Sequence, residues 1–508
     1  MLRSLGTLAL LSIVAMIVGG SGATAYAAAP ATKVTASANA SGVALGKNVT
    51  ITGSVSVSNR PVTEDVRIVG MPSGKTTWVL IGTTRSSSTG KWTFGFTPTT
   101  SYKLKAEVVK TAGHGAAASA YLPVAVQAQI YSSVPAARSY AVAGAEKSAS
   151  AAVYAQLAGQ RVKLVVLRGG KWVDSTVTRV AKGGTFVLPF RVAAGDTAMR
   201  VYLPASGGLI SKLGPVQQLT TVASVDALSA KTTCVGAAGA PSAATCTNRA
   251  LDGLALPTTD AAGLSADTGG AFAKGCWTAD GTALVPSCSY GSTQKTAYRV
   301  ALVGDSHAAG YVAGIRNRLG ARNWHLDTFL GVTCRWLGQS AGDPCAPRSA
   351  DIERRLLAGD YDMVVVAGLR QPRSTAGSAG AAATSEGYRR AWAPVLASGA
   401  KVVAIADQPY LTDELVACTT TGGAFAAQQC STSRTFALGG IDPLAAAVRA
   451  SPGASLVDLT SHYCTADACP LVIGGVIVFR DRHHISGTWS ATLGPYVLNA
   501  LDQIRRGA

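Results

Sequence analysis

Residues 298–310, YRVALVGDSHAAG, decide how the C-terminal half of the chain is read. Val300 to Val303 is an unbroken apolar run of strand length that stops at Gly304-Asp305-Ser306-His307-Ala308, and a helical stretch from Ala309 to Leu319 follows. A strand that is apolar at consecutive positions is buried on both faces, so helices must cover it above and below. The same alternation continues downstream, with Met363 to Ala367, Val402 to Ala406 and Leu456 to Leu459 as strands. Arg348 to Leu357, Tyr388 to Leu396, Pro443 to Arg449 and Trp489 to Ile504 are the intervening helices. The pattern predicts an α/β doubly wound (flavodoxin-like) domain over residues 297–508. Its chemistry is then expected where the parallel strands end, after Val303, Ala367, Ala406 and Asp458.

In the first of these loops Ser306 has its hydroxyl at a strand end and its N–H at a helix N-terminus, where negative charge is favoured. An ordinary helix cap would use the same residue type. A second element, Asp481-Arg482-His483-His484-Ile485-Ser486, precedes the terminal helix. A serine hydroxyl needs a base within hydrogen-bond reach, and that base needs a carboxylate to orient it. The D-x-x-H spacing offers both: Asp481 holds the ring nitrogen of His484 that faces away from Ser306, with His483 as the rival base. No third ligand accompanies the two imidazoles in the sequence, so neither a metal nor a cofactor is expected.

GDSHA after a strand and FRDRHHIS before the last helix resemble the first and last sequence blocks of the SGNH (GDSL-like) hydrolase and acyltransferase superfamily. With CSYGSTQKTAYRVALVGDSHA, IADQPYLTDELVAC and VDLTSHYCTADACPLVIGGVIVFRDRHHIS, about residues 232 to 505 resemble the SGNH domain fused to bacterial acyltransferase-3 membrane proteins. The resemblance implies Ser306 as nucleophile, His484 as base and Asp481 as its orienting acid. It also implies a hydrolase or O-acyltransferase acting on acyl esters, whether of an envelope polysaccharide or of a small molecule. Two departures stand out. The superfamily usually draws oxyanion donors from a Gly and an Asn; the corresponding loops here are Gly331-Val332-Thr333 and Gly368-Leu369-Arg370, which lack the Asn. The expected donors are therefore the Ser306 N–H with the Gly331 N–H or the Arg370 side chain. No acyltransferase-3 segment is present, so an acyl donor supplied across a membrane implies a separate membrane acyltransferase as partner.

All ten cysteines lie beyond residue 230 and fall as neighbours: Cys234 with Cys246, Cys276 with Cys288, Cys334 with Cys345, Cys418 with Cys430, Cys464 with Cys469. Short bridged loops in an oxidising compartment are the simplest reading, although spacing alone does not fix connectivity. Arg3, the apolar run Leu8 to Val18 and Ala25-Tyr26-Ala27 read as a signal peptide over residues 1–27, which implies a secreted, envelope-associated protein.

Between Ala31 and Val222 the grammar is that of β-sandwiches: short alternating runs such as Val49 to Val55, Val66 to Val69, Trp78 to Thr84 and Lys103 to Val109, punctuated by Gly, Pro, Ser and Asn. Trp78 and the turn Gly90-Lys91-Trp92-Thr93-Phe94 recur as Trp172 and Gly183-Gly184-Thr185-Phe186, which predicts two immunoglobulin-like modules, 31–126 and 127–222. Residues 223–296 read as a disulfide-pinned connector that extends the last domain. The charge is lopsided: residues 30–222 hold 21 Lys and Arg against 6 Asp and Glu, a net +15, while residues 223–508 hold 23 against 21, a net +2. Export excludes chromosomal nucleic acid as a partner, so an anionic cell-wall polymer is the expected counterpart of the basic modules, with plain solubility the alternative use of the charge. A non-catalytic envelope-binding protein with a degenerate SGNH domain is the rival reading of the whole chain. Trp324, Trp336, Trp392 and Trp489 are expected in the core rather than stacked on sugars, and His114 in a surface loop.

Overall fold

The computed structural model describes residues 30–131, 138–240, 246–258, 260–340, 342–370, 378–422 and 426–507. The expected signal peptide lies outside them. The chain forms two compact units, one of residues 1–127 with 207–209 and one of residues 128–206 with 210–508. It is multidomain, with a β-rich N-terminal region, and among the described residues no helix is long and apolar enough to cross a membrane.

In the first unit, one sheet runs Gly42–Ala44, Leu122–Gln127, Tyr102–Val108, Asp65–Pro72, Val79–Arg85. The facing sheet pairs Val49–Val57 with Thr32–Ala38 on one side and Lys91–Phe96 on the other. The alternation predicted from sequence is visible as a shared core of Val34, Ile51, Val55, Val66, Ile68, Trp92 and Leu104, so apolar burial holds a module without cysteines. His114 departs from expectation. It is 4% exposed and its Nε2 lies 3.1 Å from a carboxylate oxygen of Glu64, a partner 50 positions away that local sequence does not reveal.

The second unit opens with a sheet of the same order: Arg138–Val142, Gln217–Val222, Asp196–Leu203, Arg161–Arg168, Lys171–Arg179. Its facing sheet pairs Glu146–Ala152 with Thr185–Arg191 and with Leu254–Ala255, a strand that comes from the connector. The next connector residue, Leu256, exchanges backbone hydrogen bonds of 2.8 and 2.9 Å with Ile477 and Gly475 of the C-terminal region.

The C-terminal sheet consists of β1 (Ser287–Gly291), β2 (Tyr298–Gly304), β3 (Trp324–Leu330), β4 (Met363–Ala367), β5 (Lys401–Ile405) and β6 (Ala454–Val457), in the order β1-β3-β2-β4-β5-β6. Only β1 runs antiparallel; the other pairings are parallel. Ala301, Val303, Val364, Val366, Val402 and Ala404 pack against α2 (Ala346–Ala358), α3 (Ser378–Ala397) and α4 (Pro443–Arg449). The alternate positions Val300, Leu302, Val365 and Ile405 face α1 (Ser306–Ile315) and α5 (Gly487–Arg506). Trp324, Trp336, Trp392 and Trp489 are each at most 2% exposed, in the core. Strand order reverses around β2, and a crevice forms at such a point beyond the carboxyl ends of the strands. The five disulfides join Cys234–Cys246, Cys276–Cys288, Cys334–Cys345, Cys418–Cys430 and Cys464–Cys469. Such bridges fit a compartment outside the reducing cytosol.

Candidate active site

Ser306 is the first residue of α1, set directly beyond β2 by Gly304 and Asp305. Gly304 has φ +155°, and a Cβ there would lie 1.9 Å from the Ala367 carbonyl oxygen, so the sharp exit from β2 requires glycine. Asp305 caps the helix. Its two carboxylate oxygens each accept a 2.9 Å hydrogen bond, one from the His307 N–H and one from the Leu369 N–H, tying the start of α1 to the loop after β4.

The loop after Phe479 is built in the same way around a carboxylate. Asp481 Oδ1 accepts the N–H groups of His483 (3.0 Å) and His484 (2.8 Å), and Oδ2 lies 2.8 Å from His484 Nδ1. The other ring nitrogen of His484, Nε2, is 2.8 Å from Ser306 Oγ. Residues 178 positions apart thus meet beyond the sheet. Burial opposes ionisation of Asp481, but its hydrogen bonds from the His484 ring and the two N–H groups hold the carboxyl well below the usual carboxylate range. The carboxylate is therefore charged at any physiological pH, which fixes Nδ1–H on His484 and leaves Nε2 free to accept a proton.

The connector supports this loop from outside. Asp267 accepts the Gly487 N–H through its carbonyl (2.7 Å) and the Thr488 N–H through its carboxylate (2.9 Å). Arg480 donates to the Ser265 carbonyl (3.1 Å), and the Phe272 ring stands edge-on to His484 at 6.3 Å between centroids.

Of the three expected oxyanion donors, Gly331 and Arg370 are engaged elsewhere. The Gly331 N–H donates to the Gly304 carbonyl at 3.2 Å. The Arg370 guanidinium donates to the carbonyls of Leu438, Gly440 and Asp407 and lies 3.8 Å from Asp442. The Ser306 N–H, in the first turn of α1, belongs to the donors a helix leaves without an intrahelical partner.

His307 and Asp407 were not singled out by the sequence. His307 Nδ1 is 2.5 Å from Asp407 Oδ1, and its Nε2 is 2.9 Å from His483 Nδ1. Asp407 follows β5 and also accepts the Arg370 and Gln408 N–H groups. Both lie just beyond the carboxyl ends of parallel strands, His307 in the first turn of α1 and Asp407 in the loop after β5, the one signal that could have found them. Burial pulls His307 toward the neutral imidazole, but the carboxylates of Asp407, Asp305 and Asp481 together outweigh it and raise the pKa above the ordinary value. Burial, with the adjoining His484 and His307 rings, pushes His483 down to about 4.

His307 also supplies the third imidazole that sequence reading lacked: one nitrogen of each of His307, His483 and His484 lies within 4.8 Å of the others. The trio could hold a transition metal only by giving up the His307–His483 and His484–Ser306 hydrogen bonds. A cavity of about 210 Å³ opens beside them, lined by His307 and His483 together with Leu369, Gln408, Tyr410 and Phe436.

Residues 275–499 match the family described as "SGNH domain (fused to AT3 domains)". No curated protein matches the chain. Among solved structures, the periplasmic domain of the lipopolysaccharide acetyltransferase of Salmonella ser. Paratyphi A is similar at 10% identity over 48% of this chain and 97% of that one, with a TM-score of 0.36. A tetra-tandem repeat from the extending region of a large adhesion protein is similar at 14% identity over 37% of this chain and 50% of that one, with a TM-score of 0.23.

Proposed function

We propose, from the match of residues 275–499 to the SGNH-domain family, that the protein is an exported serine esterase or O-acyltransferase acting on acyl esters of envelope glycans. The observation that carries the reading is the 2.8 Å approach of Ser306 Oγ to an imidazole whose far nitrogen rests on Asp481. In the mechanism, His484 takes the Ser306 proton as Oγ attacks the acyl carbon, and returns it to the departing alkoxide. Asp481 stabilises the imidazolium in between. The developing oxyanion rests on the Ser306 N–H at the positive end of α1. Water or a sugar hydroxyl then takes the acyl group by the same steps in reverse. With p-nitrophenyl acetate as substrate, the Ser306→Ala variant is expected to lose at least about a thousandfold in kcat. Equal rates for the two proteins would end the enzymatic reading.

On this proposal the N-terminal β modules are immunoglobulin-like sandwiches that hold the enzyme to an anionic wall polymer, and the α/β domain has the doubly wound, flavodoxin-like winding. Supporting the first is the net charge of +15. So is a cation–aromatic stack on the first module: the Trp78 and Tyr121 rings lie 5.6 Å apart, with Lys105 Nζ 4.8 Å from the former and Lys103 Nζ 3.9 Å from the latter. Binding of the full chain to isolated cell wall is expected to weaken steeply as salt rises from 0.01 to 1 M, about a tenfold drop in Debye length. Retention indifferent to salt would refute the electrostatic mode.

A further inference from the structure

The Ser306–His484–Asp481 arrangement leaves a second carboxylate–imidazole chain unexplained. Asp407 and His307 are 5% and 1% exposed, and burying such a pair costs more desolvation than an apolar pair of the same size. The chain does not end in the core. It runs from Asp407 through His307 to His483, whose Nδ1 faces His307 and whose Nε2 makes no hydrogen bond to a described residue. His483 lines the cavity, whose volume of about 210 Å³ limits an occupant to a small molecule or a single residue of a larger one. Tyr410, its ring within 3° of parallel to His483, and the half-exposed Phe436 supply apolar walls. Ser306 and His484 do not line the cavity themselves, but the His484 ring lies 4.0 Å from that of His483 between centroids and 2.8 Å from Ser306 Oγ, which sets the cavity one side chain away from the base.

The proton count along the chain defines what His483 can receive. With His307 neutral and its Nδ1–H on Asp407, His483 donates Nδ1–H to His307 and presents Nε2 as an acceptor. With His307 protonated, His483 accepts at Nδ1 and presents Nε2–H as a donor. A hydroxyl group, which both donates and accepts, satisfies either state; a carboxylate or an ammonium suits only one.

We infer that this cavity is the subsite of a hydroxyl-bearing acceptor, a sugar or polyol, and that Asp407 and His307 are positioning residues that hold His483 to receive one of its hydroxyls. The inference rests on the acyl-transfer reading above and selects its transferase branch. In the step it serves, a neighbouring acceptor hydroxyl gives its proton to His484 Nε2 as its oxygen bonds to the acyl carbon. The bond from that carbon to Ser306 Oγ breaks, and Oγ takes the proton back from His484. His483 touches the acceptor without exchanging a proton with it.

The test uses the full chain, p-nitrophenyl acetate as donor, and methyl glucoside or glycerol as acceptor, with acetylated acceptor and free acetate quantified by mass spectrometry. The wild type is expected to form acetylated acceptor saturably. Asp407→Asn and His307→Gln are expected to lower the ratio of transfer to hydrolysis about tenfold, the effect of one hydrogen bond to a charged group. His483→Gln, which can still hydrogen-bond, is expected to keep more transfer than His483→Phe. Phe436→Ala, at a half-exposed position where folding is not at stake, is expected to raise the acceptor KM. A wild type that outpaces Ser306→Ala yet yields only free acetate, or a ratio unchanged in all five variants, overturns this inference alone. A wild type no faster than Ser306→Ala overturns the triad reading on which it rests.

Discussion

The two β modules share a strand order but not the means of completing it. In the first, Thr32–Ala38 lies along Val49–Val57 through seven paired positions, from Thr32 opposite Val57 to Ala38 opposite Ile51. In the second, the corresponding edge of Glu146–Ala152 is shared: Tyr131 bridges Ala152 at one end, and Leu254–Ala255 of the connector pairs with Lys147 and Glu146 at the other. The connector then passes to Leu256, which bridges Val476, eight residues before His484. A continuous β link thus joins the second module to the loop that carries Asp481 and His484. The first module closes on itself; the second is closed by the domain that follows. The repeat is therefore one of topology and not of thermodynamic independence.

The largest test of that difference pairs two glycines. A Cβ on Gly253 would lie 2.1 Å from the Ser148 carbonyl oxygen, and one on Gly53 would lie 2.0 Å from the Thr35 carbonyl oxygen. Either Gly→Val substitution is expected to cost on the order of 4 kcal/mol where it sits. Gly253→Val is expected to lower esterase activity along with the melting temperature of the second unit, because it displaces the strand leading to Val476. Gly53→Val is expected to melt the first unit early while the esterase rate holds. Calorimetry with a parallel rate assay reads both; identical effects would erase the distinction.

A smaller effect comes from Lys147, on the strand the connector completes. Its ammonium is buried and donates to the Asp252 carbonyl at 2.7 Å, and burial lowers its pKa from an ordinary value of 10.5 to about 7. Between those two values the unfolded chain holds a proton that the folded chain has released, so this group makes stability rise with pH across the window. Lys147→Met is expected to flatten the rise, measured as denaturation midpoints at pH 7 and pH 10. A variant with the wild-type slope would remove Lys147 from the account.

Much of this was legible in the sequence, for physical reasons that differ by element. Continuous apolar runs locate β4 to the residue, β5 to within one and the centre of β2, which extends beyond Val300 to Val303 at both ends, because strands buried on both faces have few polar positions to confuse the pattern. Trp324–Leu330 is not legible as a strand because His325 and Asp327 interrupt its apolar run. Asp327 is buried all the same, since Ser289 and Tyr361 donate to it at 2.5 and 2.8 Å from a neighbouring strand and the loop before β4. The residues of the Ser306 and Asp481 loops were found because each loop bears its own motif. His307 is not legible as a site residue because its partner, Asp407, stands 100 positions away and only the sheet order brings them together. His114, expected in a surface loop, is buried for the same reason, its partner Glu64 standing 50 positions away.

The central claim is that Ser306 is a nucleophile activated by His484. Treating the folded chain with a fluorophosphonate and mapping the adduct by peptide mass spectrometry tests it directly. The account predicts one phosphonylated peptide, containing Ser306, whose labelling is lost in Ser306→Ala and slowed at least about a hundredfold in His484→Ala. Labelling that ignores both substitutions, or that falls on another serine, would contradict it.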